Sequence, residues 1–113
     1  VRRLLFFLAI LIAACGKQDD SEKLQKSVVS WSATLQLVAD ARLRNEVSAG
    51  YARATIEEAI DDLSGETAKP SIPRSLTIRA ERVIALGADL QEAIDNDNQA
   101  AIARAKHQLE SLR

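Results

Sequence analysis

The chain has no methionine, one cysteine, one histidine and two prolines among 113 residues. So small a stock of soft and imidazole ligands excludes a conventional zinc cage, haem ligation by His and Met, and any disulfide framework within the chain. An excess of one charge is lacking too. Fifteen Lys and Arg stand against 16 Asp and Glu, a formal −1, which argues against nucleic acid as a main partner. A chain of 113 residues holds one small domain and leaves no room for the multidomain machinery of most cofactor enzymes. Apolar residues, by contrast, are plentiful at 47%, and they are arranged in two different ways.

The first arrangement is a block. Arg2 and Arg3 precede an unbroken apolar run of 11 residues, Leu4 to Ala14. A bilayer-spanning helix needs about 20 apolar residues, so the run is too short to span and suits the core of a signal peptide. It ends Ile12-Ala13-Ala14-Cys15. This sequence resembles the lipobox of bacterial lipoproteins: a large aliphatic residue, two small ones, then cysteine. The resemblance implies that residues 1–14 are removed, that Cys15 carries lipid, and that the membrane is a partner through that lipid. Gly16 rather than aspartate follows Cys15, which in enteric bacteria implies an outer-membrane destination facing the periplasm. Removing the 14 leading residues from 113 leaves 99, and removing Arg2 and Arg3 from 15 basic groups leaves 13 against 16 acidic ones, a formal −3. Residues 15–20 then form a lipidated cysteine with a polar tether. Val1 in a chain without methionine fits either an alternative start codon or a trimmed chain.

The second arrangement is periodic and runs from Ser21 to Arg113. Leu24, Val28, Trp31, Leu35 and Val38 step by four and three, the signature of one apolar helix face, and Val29 and Leu37 widen it. Asn45 is placed to end this helix in a left-handed conformation, and Ser48 to cap the next. The second stripe runs through Ala52, Ile56, Ala59, Ile60 and Leu63, with Gly65 as its stop. Thr67 to Pro73 holds both prolines and reads as the longest loop. Leu76, Ala80, Val83, Gly87, Leu90 and Ile94 mark a third helix, in which Gly87 is expected to permit a close helix approach. Asp95-Asn96-Asp97-Asn98 reads as a stop followed by a cap, and Ile102, Ala105, Leu109 and Leu112 stripe a fourth helix. No strand pattern competes. The expected fold is all-α, a small up-down-up-down four-helix bundle over residues 21–113 preceded by a signal peptide helix. Trp31, Leu35, Val83, Leu90 and Leu109 are expected among its most buried side chains. The stretch from Val28 to Ile60 also resembles a helical segment of exported bacterial proteins, which implies no activity.

Chemistry-bearing residues are few. Glu57, Glu58, Asp61 and Asp62 pair at four-residue spacing and are the only weak candidates for metal. Their stripe turns them outward, and the Glu-x-x-His pairs of di-iron bundles are missing. Counted from Asp95, the positions where a calcium loop needs a third ligand, glycine and a final glutamate hold Gln99, Ala100 and Lys106, so helix capping explains that segment better. His107 lies off its stripe and has no cysteine or second histidine to work with. Ser30, Ser32 and Thr34 flank Trp31 without a nearby base. Trp31 and Tyr51 read as core fillers. Arg42, Arg44, Arg53, Arg74, Arg79 and Arg82 read as solubilising charges, with contact to anionic lipid or peptidoglycan as the lesser alternative.

These patterns point to a non-enzymatic, membrane-anchored periplasmic module with no cofactor, acting through an envelope protein partner. The alternative is a small-ligand or metal-binding bundle, or a rare small hydrolase. A contiguous apolar surface favours the first, and a polar-lined internal cavity the second.

Overall fold

The computed structural model describes residues 19–112. The basic pair, the apolar run and Cys15 lie outside these residues. Four helices fill the described chain: α1, Asp20–Leu43; α2, Ala49–Thr67; α3, Arg74–Asp95; and α4, Gln99–Glu110. No strand occurs among the described residues. The fold is the expected all-α four-helix bundle.

Side chains placed by the sequence begin three of the helices. Asp19 accepts from the Glu22 amide at 2.8 Å, so α1 starts one residue earlier than its stripe suggested. Ser48 accepts from the Tyr51 amide at 3.1 Å, and Asn98 from the Ala101 amide at 3.1 Å. Each bond satisfies an amide that the first helical turn leaves without a partner. Pro73 precedes α3 and offers no side-chain cap.

Two helix ends share one device. Asn45 (φ 59°) and Asp97 (φ 51°) take the left-handed conformation after α1 and α3. Behind them the Glu46 amide reaches the Ala41 carbonyl at 2.8 Å, and the Asn98 amide reaches the Ala93 carbonyl at 2.9 Å. These are the closing bonds of Schellman motifs, and they reverse the chain within a few residues. Both hairpins therefore join a long helix to a shorter one through the same turn. Gly65 does not stop α2, which continues to Thr67; a glycine with ordinary helical φ weakens a helix without ending it. The following loop is tied to the start of α1. Ser71 donates to Asp20 Oδ2 at 3.1 Å, and Lys69 Nζ lies 3.5 Å from Asp20 Oδ1.

α1 packs against all three other helices, and α3 likewise, whereas α2 and α4 do not touch. The cross-section is thus a rhombus, with α1 and α3 meeting across its short diagonal. The core holds Leu35, Val83, Leu90 and Leu109 as expected, together with Leu24, Ile56, Leu63 and Ile102. Six alanines (Ala39, Ala52, Ala59, Ala80, Ala93 and Ala105) are also buried and keep the helices close. Trp31 is not among the most buried residues. An indole N–H needs a polar partner, so the ring sits at the edge of the α1–α2 interface and donates to Asp62 Oδ2 at 2.7 Å. Val29, Leu37 and Tyr51 are exposed rather than buried, because these positions lie beyond the width of stripe that the rhombus can cover.

Gly87 is buried where α1, α2 and α3 meet. A Cβ built there lies 3.5 Å from Leu35 Cδ1 and 3.6 Å from Ile60 Cγ1, which is ordinary contact. The close approach therefore does not require glycine. Gly87→Ala is expected to stabilise the fold by about 0.5–1 kcal/mol, through helix propensity at a site with room for the methyl. Thermal unfolding checks this, and a lowered midpoint would show that the contact is already tight.

Candidate functional site

The bundle is closed on one side of its short diagonal and half open on the other. α2, with 19 residues, runs along one crevice between α1 and α3; α4, with 12, enters the opposite one. Two contacts fix the register of α4 on α1. Lys106 Nζ meets Asp40 Oδ1 at 3.0 Å, and Gln36 Nε2 donates to the Leu109 carbonyl at 3.4 Å. Continuing that antiparallel register brings Leu112 level with Ala33 and Thr34. Residues 20–32 of α1, about 20 Å of helix, extend past the end of α4, as does the first half of α3.

An apolar groove of about 480 Å³ lies in this uncovered half. Val28, Val29, Ser32 and Ala33 of α1 form one wall, Ile78, Arg79, Arg82 and Val83 of α3 the other, and Leu112 closes the upper end. Val29 is 59% exposed and Ile78 53%, so two large apolar side chains face water across one cleft. Solvent exposure on that scale is costly and marks a surface that gains from being covered.

Three polar groups belong to the groove. Ser32 is only 7% exposed, and its Oγ has no hydrogen-bond partner. A serine inside a helix can bond back to the carbonyl four residues earlier, as Thr34 does to Ser30 at 2.9 Å, but Ser32 does not. Arg79 and Arg82 sit on one helix face at i, i+3 spacing and are exposed. Among the described residues neither forms a salt bridge. Among the described residues no acid lines the groove.

The expected site residues fare differently. Glu57, Glu58, Asp61 and Asp62 are all exposed on the outer face of α2, and no group of three possible metal ligands is brought together among the described residues. Asp62 instead anchors the Trp31 indole. His107 is 84% exposed on its side chain, with Nδ1 3.9 Å from Glu110 Oε2. The arginines of the first turn are used structurally: Arg42 donates to the Val47 carbonyl at 3.0 Å, Arg44 pairs with Asp40 at 3.2 Å, and Arg53 pairs with Asp95. Arg79 and Arg82 depart from that pattern and line the groove. Sequence reasoning missed Glu66, which is buried with Oε2 unpartnered. Its signal was present, since Glu66 stands three residues beyond Leu63 on the apolar stripe.

Comparison with known protein families, curated proteins and solved structures finds no match to this chain. Among the described residues no helix is long and apolar enough to cross a membrane.

The ion pair that holds α4 in register also makes the fold sensitive to acid. The Lys106 ammonium bonded to Asp40 holds that carboxyl below its ordinary value, helped by the Arg44 charge. Asp19 is shifted the same way, chiefly by the amide of Glu22 and then by the Ser21 hydroxyl. A carboxyl whose folded value is lowered contributes stability that is present above its unfolded value, near about 4, and is lost as pH falls through the folded one. In Lys106→Met the Asp40 carboxyl should titrate higher than in the parent, and unfolding should become less dependent on pH below that range. Side-chain NMR titration checks the first and thermal melts across pH the second. An unchanged Asp40 titration would show that Lys106 does not hold α4 to α1.

Proposed function

We propose that this chain is a lipid-anchored helical module of the bacterial envelope that works by binding, with no chemistry of its own. The open groove between α1 and α3 carries the reading. It is apolar and contiguous, and it holds a buried hydroxyl without a partner and two arginines without acids. Concave, mostly apolar surfaces with a few convergent polar groups are the usual form of binding sites. The side chains around Ser32 include no base to turn it into a nucleophile.

The anchor supports the same reading. The basic pair, the short apolar run and the sequence Ile12-Ala13-Ala14-Cys15 coincide with the only cysteine. Acyl chains on Cys15 would hold the bundle at a membrane surface, since each buried methylene contributes about 0.8 kcal/mol. The outer membrane, facing the periplasm, is the proposed location. An envelope protein is the proposed second partner, with Leu37, 70% exposed one helical turn beyond Ala33 of the groove, as a contact.

In a bacterial host the mature protein is expected to begin at Cys15 and to carry acyl groups, as read by mass spectrometry of the envelope fraction. Cys15→Ser should block lipid attachment and leave an uncleaved precursor in the inner membrane. A mature protein retaining a free Cys15 thiol would contradict the anchor.

A further inference from the structure

We propose that the groove between α1 and α3 binds a free long-chain fatty acid, with the carboxylate held by Arg79, Arg82 and the Ser32 hydroxyl and the chain laid over Val29 and Ile78. The inference rests on the binding-module reading and names its ligand.

Three observations lead to this ligand class. The lining is apolar apart from one hydroxyl and two guanidinium groups, so the groove asks for a hydrocarbon body and an anionic end. Arg79 and Arg82 lack salt bridges among the described residues, and no acid lines the groove to compete for them. Arginine forks match a carboxylate with two parallel charge-assisted hydrogen bonds. The Ser32 Oγ is buried and unpartnered; a carboxylate oxygen accepts its proton, whereas the apolar face of a docked helix would leave it unsatisfied.

Size and position favour a single chain over a phospholipid. A volume of about 480 Å³ lies in the lower part of the range for small-molecule sites, roughly 300–1,000 Å³. A cleft one helix wide takes one acyl chain beside Leu112, and a compact two-oxygen head reaches a floor hydroxyl that a bulky headgroup would not. The groove also occupies the end of the bundle that leads back to Cys15. From Cys15 to Asp20 the chain spans at most about 17 Å, and Val28 stands only about 12 Å further along α1. A membrane-anchored bundle thus holds the groove next to the phase from which free fatty acids are drawn.

The test uses the full chain in a washed homogenate of producing cells, with palmitic acid carrying a diazirine close to its carboxyl end as the probe. On illumination, labelling should map to residues 28–33 of α1 or 78–83 of α3, and unlabelled palmitate should compete it away. Replacing both arginines, Arg79→Ala with Arg82→Ala, should lower labelling at least about tenfold, the factor that 1.4 kcal/mol gives. Both side chains are exposed and, among the described residues, free of salt bridges, so circular dichroism should show an unchanged fold. Ala33→Trp, which fills the groove from α1, should abolish labelling independently. Labelling spread over the surface, labelling indifferent to both variants, or competition by a diacyl phospholipid or a lysophospholipid as strong as that by palmitate would overturn the proposal. The N-terminal peptide of the same digest reports acylation of Cys15 separately. Loss of the anchor reading and loss of the groove ligand are therefore distinct results.

Discussion

Helix length governs this molecule more than any single contact. α1 and α3, of 24 and 22 residues, meet across the short diagonal, and such a pair leaves two crevices to be filled. α2 fills one crevice with 19 residues, whereas α4 has 12 and stops about halfway along the other. The ion pair of Lys106 with Asp40 and the bond from Gln36 to Leu109 pin α4 to the far half of α1. The near half is left as a groove with apolar walls. Its polar features follow from the same geometry: Ser32 is buried by its neighbours yet faces a crevice with no fourth helix, and Arg79 and Arg82 face no acidic neighbour across it.

Much of this architecture is legible in the residues. The stripes at three- and four-residue spacing locate all four helices, and the punctuation is chemical: Ser48 and Asn98 cap, while Asn45 and Asp97 turn left-handed. The errors arise where a pattern counts apolar residues without knowing how wide a face its neighbours will cover. Val29 and Leu37 extend the α1 stripe on paper, but the half-length fourth helix stops short of Val29, and Leu37, in the half that α4 does reach, lies on the flank beyond the covered face. Trp31 lies on the stripe and still moves to the rim, because its N–H finds Asp62 there. Gly87 sits at a three-helix junction that has room for a methyl group, a matter of tenths of an ångström that no spacing rule reaches.

The groove was the least legible feature. Each of its residues carries an ordinary local explanation: valines on a stripe, a serine beside a tryptophan, arginines as solubilising charge. Only the register of α4 brings them together and leaves them uncovered. The obvious acidic cluster, Glu57, Glu58, Asp61 and Asp62, is spread along a solvated face and draws in only the indole of Trp31. Charge density along the sequence therefore did not mark a ligand set among the described residues. A hydroxyl without a protein partner beside an open apolar cleft is a polar group that a ligand can satisfy.

The account turns on α4 protecting one half of the α1–α3 pair and leaving the other half open. Amide hydrogen exchange on the full chain, without added ligand, reads this directly, since local opening reports how well each stretch is covered. Residues 28–33 lie well inside α1, clear of its frayed start, and have no α4 against them; residues 36–41 lie under α4. Exchange at 28–33 should be faster by at least about tenfold, corresponding to 1.4 kcal/mol of local stability. Equal protection of the two stretches, or slower exchange at 28–33, would mean that the groove is already filled or that α4 does not hold its register.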